Sequence, residues 1–197
     1  MGLANLYRHQ ARYDDAEQLY VQTLDGRRRV LGNDHPDTLK SINNLAVAYL
    51  DEGRFHEAEA LYLEAVETQR RVLGSEHPET LRTVNGLASV HWGQGRHDEA
   101  EQLYLETLQA QRRVLGDNHR HTLLSMNNLA NLYRNQARYD EAEPLLVETL
   151  EGFRRVLGDE HPHTLGSINN MGFLLQAQGK LAEAEPYYRQ ALDARRR

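Results

Sequence analysis

Residues Arg71–Ala100 read RVLGSEHPETLRTVNGLASVHWGQGRHDEA, and the pattern of this stretch recurs along the chain at a constant step. Leu31-Gly32, Leu73-Gly74, Leu115-Gly116 and Leu157-Gly158 stand 42 residues apart, and so do His35, His77, His119 and His161. Glu17, Glu59, Glu101, Glu143 and Glu185 keep the same interval. A fixed period of this length marks one supersecondary unit used repeatedly, each burying its apolar side against the next. The chain therefore divides into units 1–32 (first helix truncated), 33–74, 75–116, 117–158 and 159–197 of a single array.

Two helices fit each unit. In the second, Leu39, Ile42, Leu45, Ala46 and Tyr49 fall on one face of a helix from about Pro36 to Glu52. Pro36 suits a first turn, where no backbone N–H is needed, and Asp37 suits the positive end of the helix dipole. His35 or the residue before it is the expected cap, and Gly53 supplies the left-handed residue that ends the helix. A second helix runs from about His56 to Leu73, burying Ala58, Leu61, Tyr62, Ala65, Val66 and Leu73. Acids open it, Arg70 and Arg71 close it, and Glu67 is placed to pair with both.

Three departures from the repeat carry expectations. Arg120 replaces the loop proline, so the fourth first-helix should start less sharply. Ala11 and Ala137 replace the turn glycine, at a cost of about 1 kcal/mol each where φ is positive. Pro144 and Pro186 are expected in the first turn of their helices, where a missing N–H is tolerated.

Composition narrows the class. Hydrophobic residues make up 40% of the 197, enough for a continuous core, and 26% are charged. The net charge of −6 argues against generic nucleic-acid binding. There is no Cys, which removes disulfides and thiolate metal sites. No apolar run is long enough to span a membrane, and Met1 leads straight into a helical pattern rather than a signal peptide, so a cytoplasmic chain is expected.

The residues N-N-L-A-x-x-Y-x-x-x-G-R, then Y/F-x-E-A-E-x-L-Y, then R-R-x-L-G-x-x-H-P-x-T-L resemble the tetratricopeptide repeat in its 42-residue form, as found in kinesin light chains. Leu45, Ala46, Tyr49, Gly53, Phe55, Ala58, Tyr62 and Ala65 match its helix-pair signature. No heptad coiled coil for a motor accompanies them. The resemblance implies an all-α, right-handed superhelical solenoid of antiparallel helix pairs. It also implies a concave groove, lined by the first helices, that holds an extended peptide or a partner helix.

With 39, 42, 45, 46 and 49 in the core, positions 40, 44, 47 and 51 point away and 43 and 50 flank them. One flanking row is uniform: Asn43, Asn85, Asn127 and Asn169. The neighbouring row is Asn44, Gly86, Asn128 and Asn170. Asparagine is a poor helix-interior residue, and a ladder of amides can pair with a peptide backbone of any sequence. The alternative for these amides is bonding between helices or caps. Variable rows add Asn131, Trp92, Arg8, Lys40, Arg82 and Arg134, with one facing acid, Asp51. The expected partner is a protein or peptide segment carrying acidic residues and one or two apolar anchors, with Trp92 as a prime contact.

Catalysis, metal and cofactor have no constellation behind them. His119-x-His121 and His161-x-His163 lie at helix starts, Glu57-Ala58-Glu59 reads as helix-opening acid, and Arg27–Arg29 and Arg195–Arg197 read as helix ends. Leu181, Tyr187, Tyr188 and Leu192 lie on a last helix with no following unit. The competing expectation is therefore a self-assembly module joined through its ends or groove, a fragment of a longer array or a consensus-like engineered one.

Overall fold

The computed structural model describes residues 2–196, with side chains up to Ala194; the run Arg195–Arg197 lies outside the described side chains. Among the described residues there are ten α-helices and no strand. They are α1 (Gly2–His9), α2 (Tyr13–Leu31), α3 (Pro36–Asp51), α4 (Phe55–Val72) and α5 (Pro78–Gly93), then α6 (His97–Leu115), α7 (Arg120–Asn135), α8 (Tyr139–Leu157), α9 (Pro162–Ala177) and α10 (Leu181–Arg196). The chain forms two compact units, one ending at Leu103 and one starting at Tyr104, with the boundary inside α6.

In the first unit α3 packs on both α2 and α4, α4 packs on α5, and α3 also touches α5. Contact with three helices leaves α3 little free surface. Leu39, Ile42, Leu45, Ala46 and Tyr49 are buried as the periodicity predicts, and Thr38, Ser41 and Asn43 are buried with them. In the second unit α8 joins α7 and α9, α9 joins α10, and α7 touches α9. Its core contains Leu123, Met126, Leu146, Phe153 and Ile168. Full burial of side chains of this size is worth roughly 1.5–3 kcal/mol each.

The loops explain the constant residues. His35, His77, His119 and His161 are the N-caps of α3, α5, α7 and α9: each ring Nδ1 accepts from the backbone N–H two residues on, at 3.1–3.2 Å. Thr80, Thr122 and Thr164 donate back to the carbonyls of Gly74, Gly116 and Gly158. Because His119 caps as the others do, α7 starts at Arg120, the position the proline holds elsewhere. The expected softer start does not occur.

At the other end of α3, Gly53 adopts φ 74°. Its N–H reaches Leu50 O, and Arg54 N–H reaches Tyr49 O at 2.8 Å, so the helix closes in a Schellman turn. Ala11 and Ala137 are forced into the same conformation at φ 56° and 59°, where a Cβ is strained.

Two expectations need correction. Pro144 and Pro186 are the sixth residues of α8 and α10, in the second turn. Both are exposed, so water can serve the carbonyl that loses its donor. Arg71 pairs with Asp34 at 2.6 Å, not with Glu67.

Candidate functional site

The repeated glutamate of the second helices is more than a helix-opening acid. Glu17 accepts from Tyr49 Oη at 2.7 Å and from Arg54 Nη1 at 2.8 Å. Glu59 accepts from Gln94 at 2.8 Å and from Arg96, and Glu143 accepts from Gln178 at 3.2 Å. Each carboxylate thus holds the far end of the following helix and its turn. Arg54 donating to Glu17 keeps that carboxyl below its usual range, with Tyr49 assisting against burial. Burial and the bond to Glu17 push the Tyr49 phenol up to about 12. The sequence signal for this anchor was available, since the Glu, Gln and Arg rows are near-constant at fixed offsets.

A second ladder ties successive second helices within each unit. Arg28 meets Glu64 at 2.6 Å, Arg112 meets Glu148 at 2.7 Å, and Arg154 reaches Gln190 at 3.3 Å.

The predicted amide rows do different jobs in the two units. Asn43 is buried, 1% exposed, and its Nδ2 donates to Thr83 Oγ1 at 3.0 Å. It cannot meet a ligand; the α5 threonine has taken its amide. This corrects its assignment to the groove. Asn44 and Asn85 are half-buried. Gly86 breaks its row because the Tyr62 ring lies across it: a Cβ there would come within 2.6 Å of that ring. In the second unit Asn170 Nδ2 donates to Asn127 Oδ1 at 2.7 Å, and Asn127, Asn128, Asn169 and Asn170 are all half-buried.

The expected cations divide likewise. Arg8 pairs with Asp51 at 3.4 Å and Arg82 with Glu79 at 2.8 Å, so both are largely neutralised. Burial raises the Asp51 carboxyl in spite of Arg8. Lys40 is exposed and Trp92 half-buried. Arg134 has no carboxylate partner among the described residues. Its Nη1 is enclosed without a hydrogen bond, as is Asn131 Oδ1. Nη2 reaches Asn135 Oδ1 at 3.3 Å, and the guanidinium lies 5.6 Å from the centre of the Phe173 ring. Burial lowers the Arg134 pKa. A recess lined by Arg134, Phe173, Gln176 and Ala177 opens here, with Phe173 49% exposed. Phe173 stands one period after Asn131 in the same variable row, where no sequence signal separates a contact from drift.

His121 and His163 do not form a ligand set with their neighbours. Among the described residues no group of three or more His, Asp or Glu could hold a metal ion. His163 stacks on Phe153 with centroids 5.5 Å apart, and Arg120 lies 2.9 Å from its Nε2. No helix among the described residues is long and apolar enough to cross a membrane.

The tetratricopeptide repeat family profile matches residues 1–70, 40–110, 83–151 and 122–197. No curated protein matches the chain. Among solved structures, the chain is similar to the nearly identical TPR-like repeats of a Podosopora anserina protein assigned to the kinesin light chains, in a singly substituted form. Identity is 30% over 98% of this chain and 91% of that one, with a TM-score of 0.73. BtubC (BKLC) from P. vanneervenii shares the fold at 24% identity, covering 93% of this chain and 74% of its own, with a TM-score of 0.77. The Rap conjugation gene regulator of plasmid pLS20, in complex with the Phr* peptide, shares it at 13% identity and a TM-score of 0.82. That match covers 98% of this chain and 51% of the regulator. Period, turn chemistry, profile and neighbours agree: the chain belongs to the tetratricopeptide repeat family, in a form like that of the kinesin light chains.

Proposed function

We propose that this repeat scaffold is a non-catalytic, cytoplasmic protein that binds an extended acidic segment of a partner, with its strongest contact at Arg134. The observation that carries this reading is the guanidinium Nη1 of Arg134, enclosed and unpartnered beside an exposed aromatic ring. A half-buried cation without a counter-charge is costly unless a ligand supplies one, and a carboxylate meets the guanidinium fork with two charge-assisted bonds. Phe173 offers the apolar anchor next to it. Asn128, Asn131 and Asn170 offer amides for the ligand backbone. The Rap regulator, which shares the fold, holds a peptide in its own structure, which supports a peptide as the class of ligand. In the first unit Lys40, Asn44, Asn85 and Trp92 are the remaining candidate contacts.

The test is selection from a random peptide library, followed by calorimetry of the best binder against Arg134→Ala and Phe173→Ala. The reading expects an enriched Asp or Glu next to an apolar residue, and weaker binding in both variants. A selection without acidic enrichment, or binding indifferent to Arg134, sinks it.

A second reading is self-association. Leu181 and Leu192 are 66% and 47% exposed, and they flank a groove on α10 with Ala184 and Tyr188. Sedimentation of the wild-type chain against Leu181→Glu tests it: concentration-dependent association lost in the variant supports it, and a monomer at every concentration ends it.

A further inference from the structure

We propose that the junction of α4, α5 and the start of α6 is a binding pocket for a phenolic ring, which takes the place of the tyrosine missing from that junction. This site shares no residue with the Arg134 face and does not depend on the peptide reading. The corresponding junction of α2 and α3 is filled by Tyr49. There the hydroxyl donates to Glu17 and the Arg54 guanidinium covers the ring at 4.0 Å.

One period later three residues shrink together. Tyr49 becomes His91, Ile42 becomes Val84, and Leu24 becomes Val66. In the second unit the matching positions remain large: Tyr133 and Leu175, Met126 and Ile168, Leu108 and Leu150. Shrinking buried side chains without collapse of the surroundings leaves space. The structure has that space, a groove of about 390 Å³ lined by Val66, Val84, Leu87, Leu63 and Leu103. Glu59 and Arg96 stand beside His91 at a polar end, and Arg70, Glu99 and Gln102 are also on its wall. Val84 is 7% exposed where Ile42 and Ile168 are fully buried. An apolar cavity of roughly 150 Å³ already admits benzene, so a substituted ring has room.

The polar end is set for a hydroxyl. Glu59 is the counterpart of Glu17, the acceptor of the Tyr49 phenol. His91 Nε2 lies 3.5 Å from it, while His91 Nδ1 and Arg96 Nε are enclosed without hydrogen-bond partners. Arg96 donates to Glu59 and Gln94 as Arg54 does to Glu17 and Glu52, but it has no tyrosine ring to cover. A ring seated on the valines brings its hydroxyl to this cluster and returns to Arg96 a face to stack on. Free phenols and the tyrosine side chain of a partner share this chemistry.

The experiment is NMR titration of the full chain with p-cresol, toluene and N-acetyltyrosinamide. Saturable p-cresol shifts are expected at Val66, Val84 and His91. Toluene should bind about fivefold weaker, the factor of one net hydrogen bond. Two variants refill the pocket with the residues of the preceding junction, His91→Tyr and Val84→Ile. Each should weaken p-cresol at least about fivefold, losing the hydrogen-bonded ring site or its apolar floor. Tighter binding of N-acetyltyrosinamide than of p-cresol assigns the pocket to a partner's tyrosine; the reverse order assigns it to a free phenol. No saturable shift with either hydroxylated probe, or equal binding by both refilled variants, overturns the proposal.

Discussion

Asn43 on α3 and Asn127 on α7 occupy the same place in the repeat, yet one is sealed and the other half-open. The difference lies on the next first-helix. Asn43 meets Thr83, whose hydroxyl also contacts the Glu79 carbonyl at 2.9 Å. The position equivalent to Thr83 opposite Asn127 is Ser167, one methyl smaller, and Asn127 turns to Asn170. Identical residues in identical register thus serve cohesion in one unit and leave an amide pair at the surface in the other. The cations repeat the lesson. Arg82 has Glu79, while Arg134, 52 positions further on, has Phe173 and an unpartnered nitrogen.

The largest effect should come from Asn43→Ala. It removes a buried hydrogen-bonded amide and leaves a void beside Thr83, which keeps only the Glu79 carbonyl, so urea unfolding should show a loss of about 1–3 kcal/mol. Asn127→Ala should cost less than about 1 kcal/mol, because water can replace the amide. Equal losses would break the distinction between sealed and open rows. Next, Arg134→Ala should weaken the selected acidic peptide by about tenfold or more, as a central hot spot does, whereas Arg82→Ala should change it by less than about threefold, since its charge is already answered by Glu79.

A smaller gain is expected at the turns. Ala137→Gly should stabilise the chain by about 1 kcal/mol by relieving positive φ, and Ala11→Gly should act likewise. The gentlest effect is in pH. Burial, then the charge of Arg96, lowers the His91 pKa below its ordinary value, so the unfolded chain binds the proton more readily. Stability from this group is full above about pH 6.5 and declines as pH falls through that value towards the folded pKa. A melting temperature measured between neutral and mildly acidic pH should fall less in His91→Tyr than in the wild type.

How much of this was legible follows from where the partners sit. Helix limits were readable to within about a residue, because caps, Pro36 and Gly53 act within one turn of their own position. The burial of Leu39, Ile42 and Leu45 was readable from period alone. The fate of Asn43 was not, because it depends on Thr83, 40 residues ahead. The role of Glu59 was legible only across repeats, from rows at constant offset, because its donors Gln94 and Arg96 lie 35 and 37 residues on. Local pattern names the face a residue occupies; it does not say what stands opposite. The open nitrogen of Arg134 is of the same kind, since it is defined by the carboxylate that is missing around it.

The carboxylate anchors have a consequence for how such a chain can change in length. Glu17 to Arg54 and Glu59 to Arg96 span the same 37 residues, and Arg71 to Asp34 and Arg155 to Asn118 span 37 as well. A bonding scheme written in constant offsets has no privileged origin. Duplicating any 42 consecutive residues, whether the copy begins mid-helix or in a loop, would leave each repeated glutamate at the accustomed offset from a donor in the turn that follows. Adding or losing a handful of residues inside a period would instead misalign every such correspondence that spans the lesion, so growth by whole periods is the inexpensive path.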